Sequence, residues 1–143
     1  MNKESKTTIA NEESMESRLE QILNDALIKA TDTYSVPPQI IWVDNSTIAT
    51  LGNFSASTGK AKAKKTFNVS ALVAASLSNG TVLNYRACLP EGKRRILYVD
   101  TEQSRYHCHN VLARILKLAG LPTDMDNQNL DFIGLREYTP ACL

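Results

Sequence analysis

Gly59-Lys60-Ala61-Lys62-Ala63-Lys64-Lys65-Thr66 is the stretch on which the reading of this 143-residue chain turns. A glycine, four residues and then Gly-Lys-Ser/Thr is the phosphate-loop pattern, and the octet departs from it at one place. The chemistry asks for main-chain N–H groups that converge on phosphate oxygens, an ammonium that reaches the β- and γ-phosphates, and a hydroxyl for Mg2+. Lys65 and Thr66 are the candidates for the last two. Gly59, Lys60, Ala61, Lys62, Ala63 and Lys64 form the cradle, and Phe67 follows them into a helix. The N-terminus of that helix adds donors and the positive end of a dipole. The departure is Lys64, which stands where the second glycine belongs and where a side chain makes φ > 0 costly. Either the backbone there avoids the left-handed region, or the strain is tolerated, or phosphate binding has been lost. Taken alone, a lysine-rich loop is more often just a solvated surface.

Working outward toward the N-terminus, residues 53–58 are expected to form the strand that feeds the loop. Before them, Ile40-Ile41-Trp42-Val43, a turn at Asn45-Ser46 and residues 47–51 predict a small β-ribbon. Pro37 and Pro38 mark a boundary. Residues 15–36 read as an N-terminal helix and linker, with Leu19, Ile22, Leu23, Ala26, Leu27 and Ala30 at helical spacing, and the polar residues 1–14 as a disordered arm. In the other direction, Phe67, Leu72, Val73, Ala74, Ala75 and Leu77 predict a helix of about a dozen residues, its alanines allowing close packing, stopped by Asn79-Gly80. Residues 82–89 read as a strand joined to residues 95–100 by a hairpin through Pro90-Glu91-Gly92-Lys93. Ile96-Leu97-Tyr98-Val99 is continuous rather than alternating, as in a strand covered on both faces. A second helix from Ser104 carries Cys108, Val111, Leu112, Ile115, Leu116 and Ala119 at core spacing, Gly120-Leu121-Pro122 closes it, and residues 131–138 read as a last strand. The order strand, loop, helix, strand, helix, strand predicts an α/β fold with right-handed βαβ units and a mostly parallel sheet flanked by helices.

A second motif lies at the end of the apolar strand: Tyr98-Val99-Asp100-Thr101-Glu102-Gln103-Ser104. By itself Glu102 reads as a carboxylate at a helix N-terminus or a capping-box partner. In order behind a phosphate loop it reads as a group that accepts a hydrogen bond from an attacking water. Together with Gly52-Asn53-Phe54-Ser55, the loop through Phe67, and Pro90-Glu91-Gly92-Lys93-Arg94-Arg95, the motif resembles RecA-like P-loop ATPases of the plasmid-replication helicase type, in the subgroup associated with bacterial mobile elements. The resemblance runs from Pro37 to Leu121. In that subgroup a small or basic residue at the second glycine position is usual. The resemblance implies ATP and Mg2+ as cofactors, Lys65 and Glu102 as catalytic residues, Thr66 as the Mg2+ ligand, hydrolysis coupled to DNA handling, and a ring-like homo-oligomer in complete members. A complete member continues with a further helix and a strand ending in the Walker-B Asp. Residues 37–143 are therefore expected to be a partial RecA-like domain with an open apolar sheet edge, which binds nucleotide and is very weak or inactive in turnover.

Composition narrows the alternatives. Sixteen Lys and Arg against fifteen Asp and Glu leave a net charge of +1, so no whole-chain field draws it to nucleic acid or an anionic membrane. Cys88, Cys108 and Cys142 have neither the number nor the spacing of a disulfide framework or a zinc site. The N-terminus lacks an apolar signal region and no stretch suits a membrane span, so a cytoplasmic protein is expected. His107 and His109 read as surface flanks of a core Cys108, and Trp42 and Tyr98 as packing residues. The competing functional reading is a non-catalytic α/β interaction module with a degenerate phosphate loop.

Overall fold

The computed structural model describes residues 3–60 and 63–138, with residues 3–14 as main chain only. The chain divides into two compact units, Met1–Val36 and Pro37–Leu143. The first holds helix α1 (Lys3–Ala26). It begins well before Met15 and so takes in most of the segment expected to be a disordered arm. It also ends before the expected Thr31 to Tyr34 boundary. Past Ala26 the chain turns, with the Asp32 carboxylate accepting hydrogen bonds from the Lys29 amide at 2.8 Å and the Tyr34 hydroxyl at 2.9 Å. The apolar stripe of α1 is bare: Leu19, Ile22 and Leu23 are all more than half exposed.

The second unit runs β1 (Gln39–Val43), β2 (Ser46–Thr50), α2 (Lys65–Ser78), β3 (Thr81–Val82), β4 (Tyr85–Ala87), β5 (Ile96–Asp100), α3 (Arg105–Leu118) and β6 (Leu130–Gly134). It is α/β, as the sequence predicts, but the sheet is not mostly parallel. Four strands form an antiparallel sheet in the order β2-β1-β4-β3, and only β5 and β6 pair in parallel, in a separate two-stranded sheet. The expected ribbon is β1–β2, and β4 joins it with Ile41 opposite Ala87 and Val43 opposite Tyr85. Residues 82–89 are not one strand: Leu83, at φ 54°, turns the chain back so that Val82 faces Tyr85. The expected hairpin from β4 to β5 is absent, since those two strands belong to different sheets.

Residues 53–58 do not form the expected strand; they are exposed and without regular structure. β-favouring residues become a strand only when a neighbour takes their N–H and C=O groups. Among the described residues these are met locally at most, as where the Asn53 amide donates to the Thr50 carbonyl at 3.3 Å.

The two core helices are terminated as their sequences suggest. The Gly80 amide reaches back to the Ala75 carbonyl and the Asn79 amide to Ser76, with Asn79 in the left-handed region at φ 48°. The same pattern closes α3, where Leu121 and Gly120 donate to Leu116 and Lys117 and Gly120 sits at φ 71°. Both are Schellman closures, which satisfy carbonyls that a helix end leaves open. Asn79 does a second job: its Oδ1 accepts the Leu89 amide at 2.6 Å and ties the end of α2 to the chain leaving β4.

One core holds the unit together. Ile41, Val82 and Ala87 from the antiparallel sheet, Val73, Ala74 and Ala75 from α2, Val111 and Ile115 from α3, and Leu130 from β6 form a single cluster. The buried residues of α2 are small: Ser70, Ala71, Val73, Ala74, Ala75 and Ser76. Ser70 and Ser76 return their hydroxyls to the Thr66 and Leu72 carbonyls, at 2.7 and 3.0 Å, and so carry no unmet polar group into the core. Phe67, at the head of α2, is 41% exposed. Beneath α3, Tyr98 and Phe132 stack with centroids 4.4 Å apart across the β5–β6 register.

Candidate functional site

The glycine loop ends at Lys64, whose φ of 56° and ψ of 26° put it squarely in the left-handed region. The backbone does not avoid the left-handed region: it keeps the conformation a glycine would adopt and carries a side chain there. For an L-residue this costs roughly 1 kcal/mol. Lys64→Gly is accordingly expected to raise stability by about 0.5–1 kcal/mol in urea titrations. Unchanged or lower stability would mean that this peptide is not left-handed.

Lys65 and Thr66 are the first residues of α2, so the ammonium and hydroxyl candidates sit where amides are free of helical partners. The first turn holds no acidic residue. The Lys64 carbonyl accepts the Phe67 and Asn68 amides at 3.0 and 3.1 Å, which starts the helix without a side-chain cap. The Lys65 ammonium folds back and donates to the Gly59 carbonyl at 3.2 Å. The two ends of the loop are close: a Cβ on Gly59 would stand 3.3 Å from Cβ of Ala63. This supplies a steric reason for the first glycine that does not depend on its dihedral angles. The Ala63 amide donates to the Lys60 carbonyl at 3.2 Å. Ala61 and Lys62 lie outside the described residues. Gly59, Lys60, Ala63, Lys64 and Lys65 are all exposed, Thr66 is half-buried, and the local charge is positive.

The residues present therefore suit a polyphosphate with its Mg2+. Lys65 and Thr66 stand at the positive end of α2, and no carboxylate in the first helical turn opposes an anion.

The second motif is organised around a residue to which the sequence reading gave no separate role. Asp100, the last residue of β5, is buried. Its Oδ1 accepts the Glu102 and Gln103 amides at 2.9 and 2.8 Å, and its Oδ2 accepts the Gln103 side-chain amide at 2.7 Å. Burial pushes this carboxyl upward, but the two main-chain amides and the Gln103 side chain together outweigh it and hold the group below the ordinary aspartate value. On the main-chain side, the Asp100 carbonyl accepts the Leu135 amide at 2.7 Å, which fixes the chain leaving β6 beside the same turn. A carboxylate binding amides two and three residues on is an Asx turn, and Asp-x-Glu-Gln was the signal available for it.

The turn leaves Glu102 exposed, two residues before the Ser104 N-cap of α3. Among the described residues no hydrogen bond or ion pair joins Glu102 to Lys65. The acidic turn is formed, and among the described residues no direct bond links it to the loop. Cys108, buried at the start of α3, donates to the Gln103 carbonyl at 3.6 Å, and burial followed by the nearby Asp100 raises its thiol pKa. His107 and His109 are exposed on either side of it.

No helix among the described residues is long and apolar enough to cross a membrane. Comparison with family models, with curated proteins and with solved structures matched none of them.

Proposed function

We propose that the chain binds the polyphosphate of ATP with Mg2+ at residues 59–67, as the nucleotide-binding part of a RecA-like ATPase that serves replication or mobilisation of a mobile element. The observation that carries this reading is the left-handed Lys64 directly before Lys65 at the start of α2. A phosphate loop needs that backbone turn, and the chain keeps it against the steric cost of a lysine side chain. The role in DNA and the helicase-like ring rest on the resemblance of the motifs, and the cytoplasmic setting on the cysteine usage and on the sequence lacking an apolar signal region.

In this reading Lys65 leaves the Gly59 carbonyl and turns to the β- and γ-phosphates, while the amides at the start of α2 face the anion. The Thr66 hydroxyl is the protein's ligand to Mg2+, which when bound neutralises charge on the phosphate oxygens. Glu102 is the candidate to orient a water, and Asp100 holds the turn that presents it. The Asp100 carboxylate is already engaged with three N–H groups, so it suits support better than metal binding.

A melting experiment tests the binding step. ATP with Mg2+ at 100 times its dissociation constant is expected to stabilise the wild type by about 2.7 kcal/mol, seen as a rise in Tm, and Lys65→Ala to abolish the shift. A wild-type Tm that does not move at millimolar ATP would leave the second reading, a non-catalytic α/β interaction module. What favours that second reading is that residues 53–58 form no strand and that, among the described residues, no bond joins the loop to Glu102.

A further inference from the structure

The β5–β6 pair is open on the β5 side. The Ile96 amide donates to the Asn129 carbonyl at 2.8 Å and the Asp100 carbonyl accepts the Leu135 amide at 2.7 Å, so the main-chain groups of residues 96, 98 and 100 face β6. Those of Leu97 and Val99 face the other way. Among the described residues no main-chain partner takes them. A bare strand edge of this kind is a template for one more strand.

A segment of the same unit has the complementary need. Residues 53–58 pair with no strand, and Phe54 within them is 94% exposed. Two side-chain bonds hold the segment near β2: the Ser55 hydroxyl donates to the Ile48 carbonyl, and the Asn53 side-chain amide to the Thr50 hydroxyl. Gly52 is a free pivot before it, at φ 83° with nothing within 4 Å of a Cβ placed there. On the far side of the glycine loop, α2 packs against α3 and lies against β5. One end of the loop is therefore already anchored beside the bare edge.

Direction and parity fix how the two fit. Laid parallel to β5 with Thr58 opposite Asp100, the segment sets Ser55 opposite Leu97 and Ser57 opposite Val99. The Ala56 amide then meets the Leu97 carbonyl, and the Phe54 and Ala56 carbonyls receive the Leu97 and Val99 amides. Phe54 and Ala56 fall on the face of Ile96 and Tyr98, which is the face turned to the core, and the two serines fall on the opposite one. Gly59 follows at the level of the turn that carries Glu102.

We propose that residues 53–58 are a strap that adds to β5 as a third parallel strand when nucleotide fills the loop, and that this closure brings Lys65 to the sheet edge that carries Glu102. The closure rests on the reading of residues 59–67 as a nucleotide loop and is the switch of that site. Polyphosphate favours the closed form because only there do the loop and the Glu102 turn face one ligand.

Amide hydrogen exchange, read residue by residue by NMR on the full chain, tests the closure. With saturating ATP and Mg2+, exchange at Ala56, Leu97 and Val99 is expected to slow at least about tenfold, as for a strand closed about nine-tenths of the time, while Ser55 and Ser57 stay fast. Ala56→Pro removes the donor to Leu97 and is expected to abolish the protection of Leu97 and Val99. Ser57→Pro, at a position whose N–H faces away from β5, is expected to keep it. Both changes fall in an exposed segment outside the core, and circular dichroism checks that the fold is kept. A Lys65-dependent rise in Tm with ATP but no protection at these amides would overturn the strap and leave the nucleotide reading standing, whereas no rise in Tm would overturn both. Protection already present without nucleotide, or protection that survives Ala56→Pro, would also overturn the strap.

Discussion

Ile115→Ala is expected to cost about 2–5 kcal/mol, a large part of the stability of a domain this size. Ile115 has no solvent exposure and is the largest side chain so enclosed. It lies in the cluster that joins both sheets to both helices. The same cluster holds Ala74 and Ala75 of α2 and Ala87 of β4, short side chains that have little reach into a vacated volume. The cavity therefore stays open, and the cost sits toward the upper end of the range. Denaturant titration followed by circular dichroism reads the loss. A value below about 1 kcal/mol would show that the helices close over the gap, and hence that this core is loose.

The second large effect is at Asp100. Asp100→Ala leaves the partly buried Glu102 and Gln103 amides without their acceptor, at about 1–3 kcal/mol for the pair. Asp100→Asn keeps an oxygen for those amides and is expected to lose less. The pair separates charge from shape through pH. The folded carboxyl lies below its ordinary value of 3.8, so the native state binds this proton less readily than the unfolded chain does. Its contribution is fully present above the unfolded value and is lost as pH falls through the lowered folded value. Wild-type stability should drop more steeply than that of Asp100→Asn between about pH 5 and 2. Parallel curves would show that the carboxylate's charge contributes nothing to the turn. Because that turn presents Glu102, Asp100→Ala should also reduce any ATP turnover without altering the nucleotide-dependent rise in Tm.

What the sequence disclosed was mostly local. Cys108, Val111, Ile115 and Leu116 recur at helical spacing and are the buried face of α3. Asn79-Gly80 and Gly120 end their helices because left-handed residues there satisfy the last carbonyls, a matter settled within a few positions. Strand partnership is not local, and there the reading failed. Nothing within residues 85–87 announces that they pair with residues 41–43 across the glycine loop and α2, and nothing within residues 53–58 announces that they go unpaired. The continuous apolar run in β5 predicted cover on both faces, yet Leu97 and Val99 look outward.

The candidate site divides the same way. The positions of Lys65 and Thr66 at the head of a helix were legible from the loop pattern. The left-handed Lys64 was not, because lysine's preferences point elsewhere and only the surrounding fold imposes that conformation. The alanine-rich run after the loop announced close packing, and the face of α2 that enters the core is one of small residues, mostly alanines and serines.

The closure of α2 has a consequence for chemical ageing. An Asn-Gly pair is ordinarily the dipeptide most prone to lose ammonia, as the glycine nitrogen attacks the asparagine side-chain carbonyl to form a cyclic imide. At Asn79-Gly80 that nitrogen is committed to the Ala75 carbonyl and the side-chain oxygen to the Leu89 amide. The folded chain thus shelters a bond that its unfolded form exposes, and isoaspartate at position 79 in a stored sample would record how much time its molecules had spent with the end of α2 undone.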